Sequence, residues 1–319
     1  ELVSIPTETV YGLGANGLDP EAMDKIYAAK GRPSDNPLIL HVPNSESIKP
    51  LVTEISATAQ ALMDAFWPGP LTITLPKSDL VPDRATGVLP RVALRCPDHK
   101  VCRALLERAG VPVAAPSANI SGRPSPTTAQ DVYHDMKGRI SYILDAGPCT
   151  IGVESTVVEV HDDKVIILRP GGITKAQLER VVSTVEYDTA LVNATTIPKA
   201  PGMKYTHYAP DAPMTVVVGS PEGVAHTFKE LSEGIEGPIG CLVSHETYNL
   251  IKEDGRFMCH CFGHHGDALA LGHDFYKSLL HFNENHVTLI LAEGVDDDGF
   301  GVAIMNRMEK ASSHHIIYK

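Results

Sequence analysis

A length of 319 residues exceeds what one hydrophobic core usually organises, so two domains are expected. The hydrophobic share of 43% supplies material for two cores, and no run approaches the roughly 20 apolar residues that span a bilayer. A net charge of −12 speaks against a general nucleic-acid binder, which needs a basic face, but leaves room for a local basic pocket around a phosphorylated small molecule.

The chain enters a strand-like Leu2–Ile5 directly after Glu1. No basic segment precedes an apolar one, so no signal peptide is visible, and a short natural N-terminus is expected to be missing from the numbering. Asp19 and Pro20 open a helix whose apolar stripe is Met23, Ile26 and Tyr27, and Gly31 and Pro33 stop it. Strands follow at Leu71–Leu75, Val92–Arg95 and Val111–Ala114, with a helix Lys100–Ala109 before the last. A hairpin is expected from Ser155–Val160 and Val165–Arg169, turning at Asp162 and Asp163, and Thr174 caps a helix running to about Val182. Residues 1–186 thus read as one domain. Over 187–212 the periodicity fails under Pro198, Pro201 and Pro210, which marks a linker. From 213 to 319 strands near Met214–Val218, Ile239–Val243 and Val287–Ala292 alternate with helices near Glu222–Leu231, Ala268–His281 and Val302–Lys310. Such alternation implies a small Rossmann-like α/β domain with a parallel sheet. The six cysteines are too scattered for a disulfide scaffold and suit a cytoplasmic protein.

Three loops concentrate polar residues. The first, PTETVYGLG from Pro6 to Gly14, starts a G-x-G-x-x-G match at Gly12, Gly14 and Gly17. The helix starts only at Pro20, so these glycines do not present a helix N-terminus to a pyrophosphate, and a turn-rich loop is the better reading. The second, Ala29–His41, offers Lys30, Arg32 and Asn36 to an oxyanion, although Lys30 reads equally well as a solvated cation ending a helix. His41 by itself is more often a core histidine than a ligand. The third, Ala115–Thr127, gathers Ser117, Asn119, Ser121 and Ser125 beyond a strand, where open α/β sheets place ligands; a polar surface loop fits equally. No Walker A, G-x-S-x-G or H-E-x-x-H pattern occurs. Cys259, His260, Cys261, His264 and His265 are zinc-ligand types without a standard spacing, so an incidental strand and turn is preferred and no metal ligand is assigned.

In that order the three loops resemble the YrdC-like threonylcarbamoyl-AMP synthase family. The likeness includes Lys30, Arg32, Ser117 and Asn119 of its K-x-R … S-x-N signature, GVESTVV (Gly152–Val158) and ILRPGG (Ile167–Gly172). PGMKYTHYAP (Pro201–Pro210) resembles the hallmark of its long, two-domain form. The resemblance implies a twisted mixed α/β sheet with helices and a concave site, followed by the smaller C-terminal domain. It implies an enzyme joining L-threonine, bicarbonate or carbon dioxide and ATP, with Mg²⁺ on the phosphates, into threonylcarbamoyl-adenylate. A partner transferase complex would then modify tRNA. It puts Thr9, His41, Arg95, Ala115 and Ser155 around threonine. Around the nucleotide it puts Lys30, Arg32, Asn36, Ser117, Asn119, Ser125, Arg169 and His207, with Lys30, Arg32 and Arg169 as the catalytic cations. The linker is the expected lid. One departure is Arg91, where the family often carries a hydroxyl. The alternative from another class is an RNA-binding or regulatory module without turnover.

Overall fold

The computed structural model describes residues 1–191 and 208–319. It divides into two compact units, Glu1–Ser121 with Ser125–Tyr205, and Gly122–Pro124 with Thr206–Lys319. The string Pro201–Pro210 and the expected lid fall largely outside the described residues, and His207 falls wholly outside them.

In chain order the first unit contains β1 (Val3–Ile5), β2 (Gly12–Asn16), α1 (Pro20–Lys30), β3 (Ile39–His41), α2 (Ala57–Phe66) and β4 (Leu71–Pro76). Next come α3 (Asp83–Thr86), β5 (Arg91–Arg95), α4 (Lys100–Ala109), β6 (Val113–Ala114), α5 (Ala129–Met136) and β7 (Tyr142–Ile143). The unit closes with β8 (Thr156–Val160), β9 (Val165–Arg169), α6 (Lys175–Glu179) and β10 (Val185–Tyr187). Among the described residues the strands form one mixed sheet in the order β10-β9-β8-β4-β5-β3-β6-β2-β1-β7.

Local chemistry sets the boundaries. The Asp19 carboxylate accepts from the amides of Glu21 and Ala22, and Gly31 ends α1 at φ 60°. Gly110, at φ 65°, ends α4 in the same way. The segment Gly12–Asn16, expected as part of a turn-rich loop, is instead a strand between β1 and β6. Its glycines are there for closeness: a Cβ on Gly14 would lie 3.0 Å from Val113 Cγ1, and one on Gly17 2.9 Å from the Pro112 carbonyl oxygen. The helix capped by Thr174 stops at Glu179, short of Val182, because the chain must extend again into β10, which pairs with β9.

Side chains alternate across the sheet. Ile73, Leu75, Val92, Leu94, Val158, Val160, Val165 and Ile167 enter the main core. Thr72, Thr74, Ala93, Arg95 and Val157 occupy the alternate positions and so line the other face. Between Val157 and Val158 the pairing with β9 slips by one residue: Val158 opposes Ile167, but Val157 opposes Arg169. This bulge re-aims the end of β9.

The second unit contains β11 (Met214–Val218), α7 (Pro221–Leu231), β12 (Ile239–Ser244), α8 (His245–Ile251), β13 (Phe257–Gly263), α9 (Ala268–Glu284), β14 (Leu289–Glu293), α10 (Gly301–Ala311) and β15 (Ile316–Tyr318). All of its strand pairs are parallel, in the order β13-β12-β14-β11-β15. The Rossmann-like expectation therefore holds, with α8 and the strands β13 and β15 added to it.

Candidate active site

The site assembles where the three polar loops meet one sheet face. Main-chain hydrogen bonds join them: the Ala118 amide donates to the Tyr11 carbonyl, Ser121 to Lys30, Ile151 to Glu8 and Gly152 to Thr9.

Arg95 is the centre of one corner. It is 4% exposed and projects from the last position of β5, in register with His41 on β3. Its Nη1 donates to Thr9 Oγ1 at 2.8 Å, and its Nη2 lies 2.8 Å from Glu8 Oε1 in a buried ion pair. Thr9 is fixed in turn by Thr7, whose Oγ1 is 2.9 Å away. His41 Nδ1 lies 3.2 Å from the Ile39 carbonyl oxygen. Burial, with Arg95 beside the ring, holds the His41 pKa at about 3. The ring is therefore neutral, with one nitrogen a donor and the other an acceptor. Ala115 is attached to the same corner through its amide, which donates to Ile39.

A second corner is built on the bulge. Arg169, 5% exposed, donates from Nε and Nη2 to the Ser155 carbonyl at 3.2 and 2.9 Å, and from Nη2 to Ser155 Oγ at 3.2 Å. Ser155 Oγ is also 2.8 Å from Thr72 Oγ1. Gly171 permits this geometry: a Cβ there would sit 2.4 Å from backbone atoms of Glu154, Ser155 and Thr156.

The third corner is Lys30, which is 2% exposed. It is therefore not the solvated helix-ending cation that its position also allowed. Its ammonium donates to the carbonyl oxygens of Ser117 at 2.5 Å and Asn119 at 2.6 Å, which pins the third loop to the end of α1. Burial first, and then Arg32, lower its pKa well below the ordinary lysine value. Arg32 donates to the Pro37 carbonyl at 3.0 Å. Asn36 is buried, and none of the described residues accepts a hydrogen bond from its Nδ2. Ser125 donates to Glu154 Oε1 at 2.7 Å.

The same sheet face holds a cavity of about 260 Å³, lined by Pro37, Leu38, Thr74, Ala93, Glu159 and Leu168 among others, which include the chain neighbours of Asn36 and Arg169 but not those two residues. Arg91 borders it too, but its Nη2 is committed to the carbonyls of Thr74 at 2.8 Å and Val160 at 2.6 Å. At this position a strand-to-strand tie replaces the hydroxyl of the family pattern.

Sequence reasoning missed Glu8, Thr72 and Glu154. The available signal was a carboxylate next to small hydroxyl residues, between two in Thr7-Glu8-Thr9 and ahead of two in Glu154-Ser155-Thr156. An acid placed in a buried loop requires a partner nearby. The Cys/His stretch also resolves: Cys259 and Cys261 share one face of β13, His260 Nε2 lies 3.1 Å from Asp274, and His265 Nδ1 2.7 Å from Glu293. Among the described residues no three metal-capable side chains converge.

Comparison with known proteins agrees with this architecture. Residues 1–171 match the Sua5–YciO–YrdC family model, described as telomere recombination, and residues 173–313 match the model described as the threonylcarbamoyl-AMP synthase C-terminal domain. The chain is 46% identical to a threonylcarbamoyl-AMP synthase of Bacillus subtilis over 99% of its length and 91% of the relative's. It is 44% identical to the one of Pyrococcus abyssi, over 99% and 92%. The crystal structure of Pyrococcus abyssi Sua5 complexed with L-threonine superposes with a TM-score of 0.91 at 42% identity, covering 100% of this chain and 92% of that one. With both family models in sequence and full-length relatives on each side, the chain belongs to the threonylcarbamoyl-AMP synthase family in its two-domain form.

Proposed function

We propose that the chain condenses L-threonine, bicarbonate or carbon dioxide, and ATP into L-threonylcarbamoyladenylate with release of pyrophosphate. The observation that carries this reading is the buried Arg95–Thr9–His41 corner on the same sheet face as Arg169 and the adjoining cavity. A guanidinium suits the amino-acid carboxylate, and Thr9, neutral His41 or Ser155 suits its hydroxyl. A site built to bond a hydroxyl rejects the analogue lacking it, because its own polar atom is then left unpaired.

The chemistry needs little covalent participation from the protein. The neutral amine of threonine attacks carbon dioxide, forming a nitrogen–carbon bond as one carbon–oxygen π bond opens, and releases a proton to solvent to leave a carbamate. A carbamate oxygen then forms a bond to the alpha-phosphorus, and the bond to the pyrophosphate oxygen breaks. Both partners are anions, so positioning and charge neutralisation dominate. Lys30, Arg32 and Arg169 would supply the fixed cations, Asn36, Ser117, Asn119 and Ser125 hydrogen bonds to the nucleotide, and the apolar cavity a place for its base. Mg²⁺ enters on the triphosphate as part of the substrate, and no protein ligand is assigned to it. The adenylate would pass to a transferase complex that modifies adenosine 37 of tRNAs reading codons that begin with A, in the cytoplasm. No stable nucleic-acid complex of this chain is expected.

Pyrophosphate release from ATP, with threonine and bicarbonate omitted in turn, tests the reading. Release should require both. Release that persists without either compound, or that follows carbamoyl phosphate instead, would remove the proposal.

A further inference from the structure

The six cysteines, all free thiols, fall into two chemical groups. In the first unit burial pushes Cys96 up to about 11 and both Cys102 and Cys149 up to about 12, so these thiols stay protonated and unreactive. The second unit differs in arrangement. Cys241 on β12 and Cys259 on β13 are register partners in adjacent parallel strands. Neighbouring strands run about 4.8 Å apart, inside the Cα separation of roughly 4.4–6.8 Å that a disulfide spans. Cys241 is fully buried, whereas Cys259 is half-buried on an edge strand that, among the described residues, pairs with β12 alone. Their register slips only beyond them, between Val243 and Ser244, so the two cysteines stay directly opposed. Cys261 is the competing thiol, but its register partner is Val243, which offers no sulfur.

We propose that Cys241 and Cys259 are an oxidation site, a dithiol that a hydroperoxide converts to an interstrand disulfide. Cys259 is the attacking sulfur. It is the half-buried thiol on the edge strand, its Sγ 3.9 Å from the Phe257 carbonyl oxygen, whereas Cys241 is fully buried and burial drives its thiol above the ordinary range. The Cys259 thiolate attacks the peroxide, forming a sulfur–oxygen bond as the oxygen–oxygen bond breaks, and gives a sulfenic acid and hydroxide. The Cys241 sulfur then displaces the sulfenic oxygen, which leaves as water with the Cys241 proton. Two thiols lose two electrons in all, and hydrogen peroxide with the proton released at the first thiolate becomes two waters.

The test uses the full chain. It is treated with hydrogen peroxide in slight excess, its remaining thiols are alkylated under denaturing conditions, and its peptides are mapped by mass spectrometry. Two of the six thiols should disappear, a linked pair of peptides containing Cys241 and Cys259 should appear, and dithiothreitol should restore six. In Cys241→Ser the Cys259 sulfenic acid should persist and be trapped by dimedone; in Cys259→Ser neither product should form. Six intact thiols at that dose, or oxidation centred on Cys261 or on the first-unit cysteines, would overturn the proposal. The peptide map of the unaltered chain decides the matter even where a variant folds poorly.

Discussion

Arg95 reaches Glu8, Thr9 and the Gly69 carbonyl at once, so its loss empties the corner proposed for threonine while Lys30 and Arg169 keep their own partners. Arg95→Ala should raise the KM for threonine by roughly 100-fold, equivalent to about 3 kcal/mol for a desolvated charge pair, and move the KM for ATP far less. Equal effects on both constants in steady-state pyrophosphate assays would contradict that division of labour. His41 gives a pH signature. Its folded-state pKa of about 3 lies below the ordinary 6.5, so between these values the unfolded chain binds the extra proton and stability falls as pH falls. The slope approaches ~1.4 kcal/mol per pH unit, and it should largely vanish in His41→Gln when denaturant midpoints are compared between pH 3.5 and 6.5. Above about pH 7 the two proteins should show the same pH dependence. At this scale Lys30 and Arg32 stood out as charges around a Gly- and Pro-rich loop, whereas Arg95 and Arg169 lie at strand ends and came only with the family resemblance. Glu8 and Glu154 were not readable, because a buried acid announces itself only through the partner it meets in three dimensions.

The turn after β9 shows how an element carries a site. Gly171 lies so close to Glu154–Thr156 that any Cβ must displace the backbone bearing Ser155. Gly171→Ala should cost about 1–3 kcal/mol of stability and most of the activity, read as thermal midpoint and pyrophosphate release. Gly255→Ala, where a Cβ would have nothing within 4 Å, is the control and should change neither. Elements with strong punctuation were legible in the sequence: α1 between Asp19 and Gly31, and the hairpin strands β8 and β9 around Asp162 and Asp163. Strand β2 was hidden because three glycines in six positions look like a loop, whereas their actual role is to let three strands approach. The bulge in β9 was equally invisible, since a one-residue slip in pairing leaves no mark on a strand's own alternation.

Each half of the molecule closes its own sheet. All five strands of the second sheet come from residues 214–318, and α7 and α8 pack their apolar faces on Val217, Ile239, Cys241 and Val243. A fragment of residues 208–319 should therefore melt cooperatively with fixed near-ultraviolet circular dichroism. A broad transition without such signals would show that this half depends on the other. The two-domain reading followed from length and from the β-α alternation after residue 213, which also implied parallel strands, while their order in the second sheet needed the structure, because alternation does not say which strands become neighbours.

Three buried cations of the first unit are engaged by internal partners: Arg95 with Glu8, Lys30 with two carbonyls, Arg169 with Ser155. If these cations receive the substrate as proposed, an incoming oxyanion would compete with internal partners instead of settling on a bare charge. Such a swap conserves the number of polar contacts, so attraction to one reactant alone is the small remainder of two similar strengths. Only a molecule whose oxygens replace the displaced groups together gains from entering. When product departs, the carboxylate and carbonyls fall back onto the same donors, and the pocket resets without leaving any cation stranded.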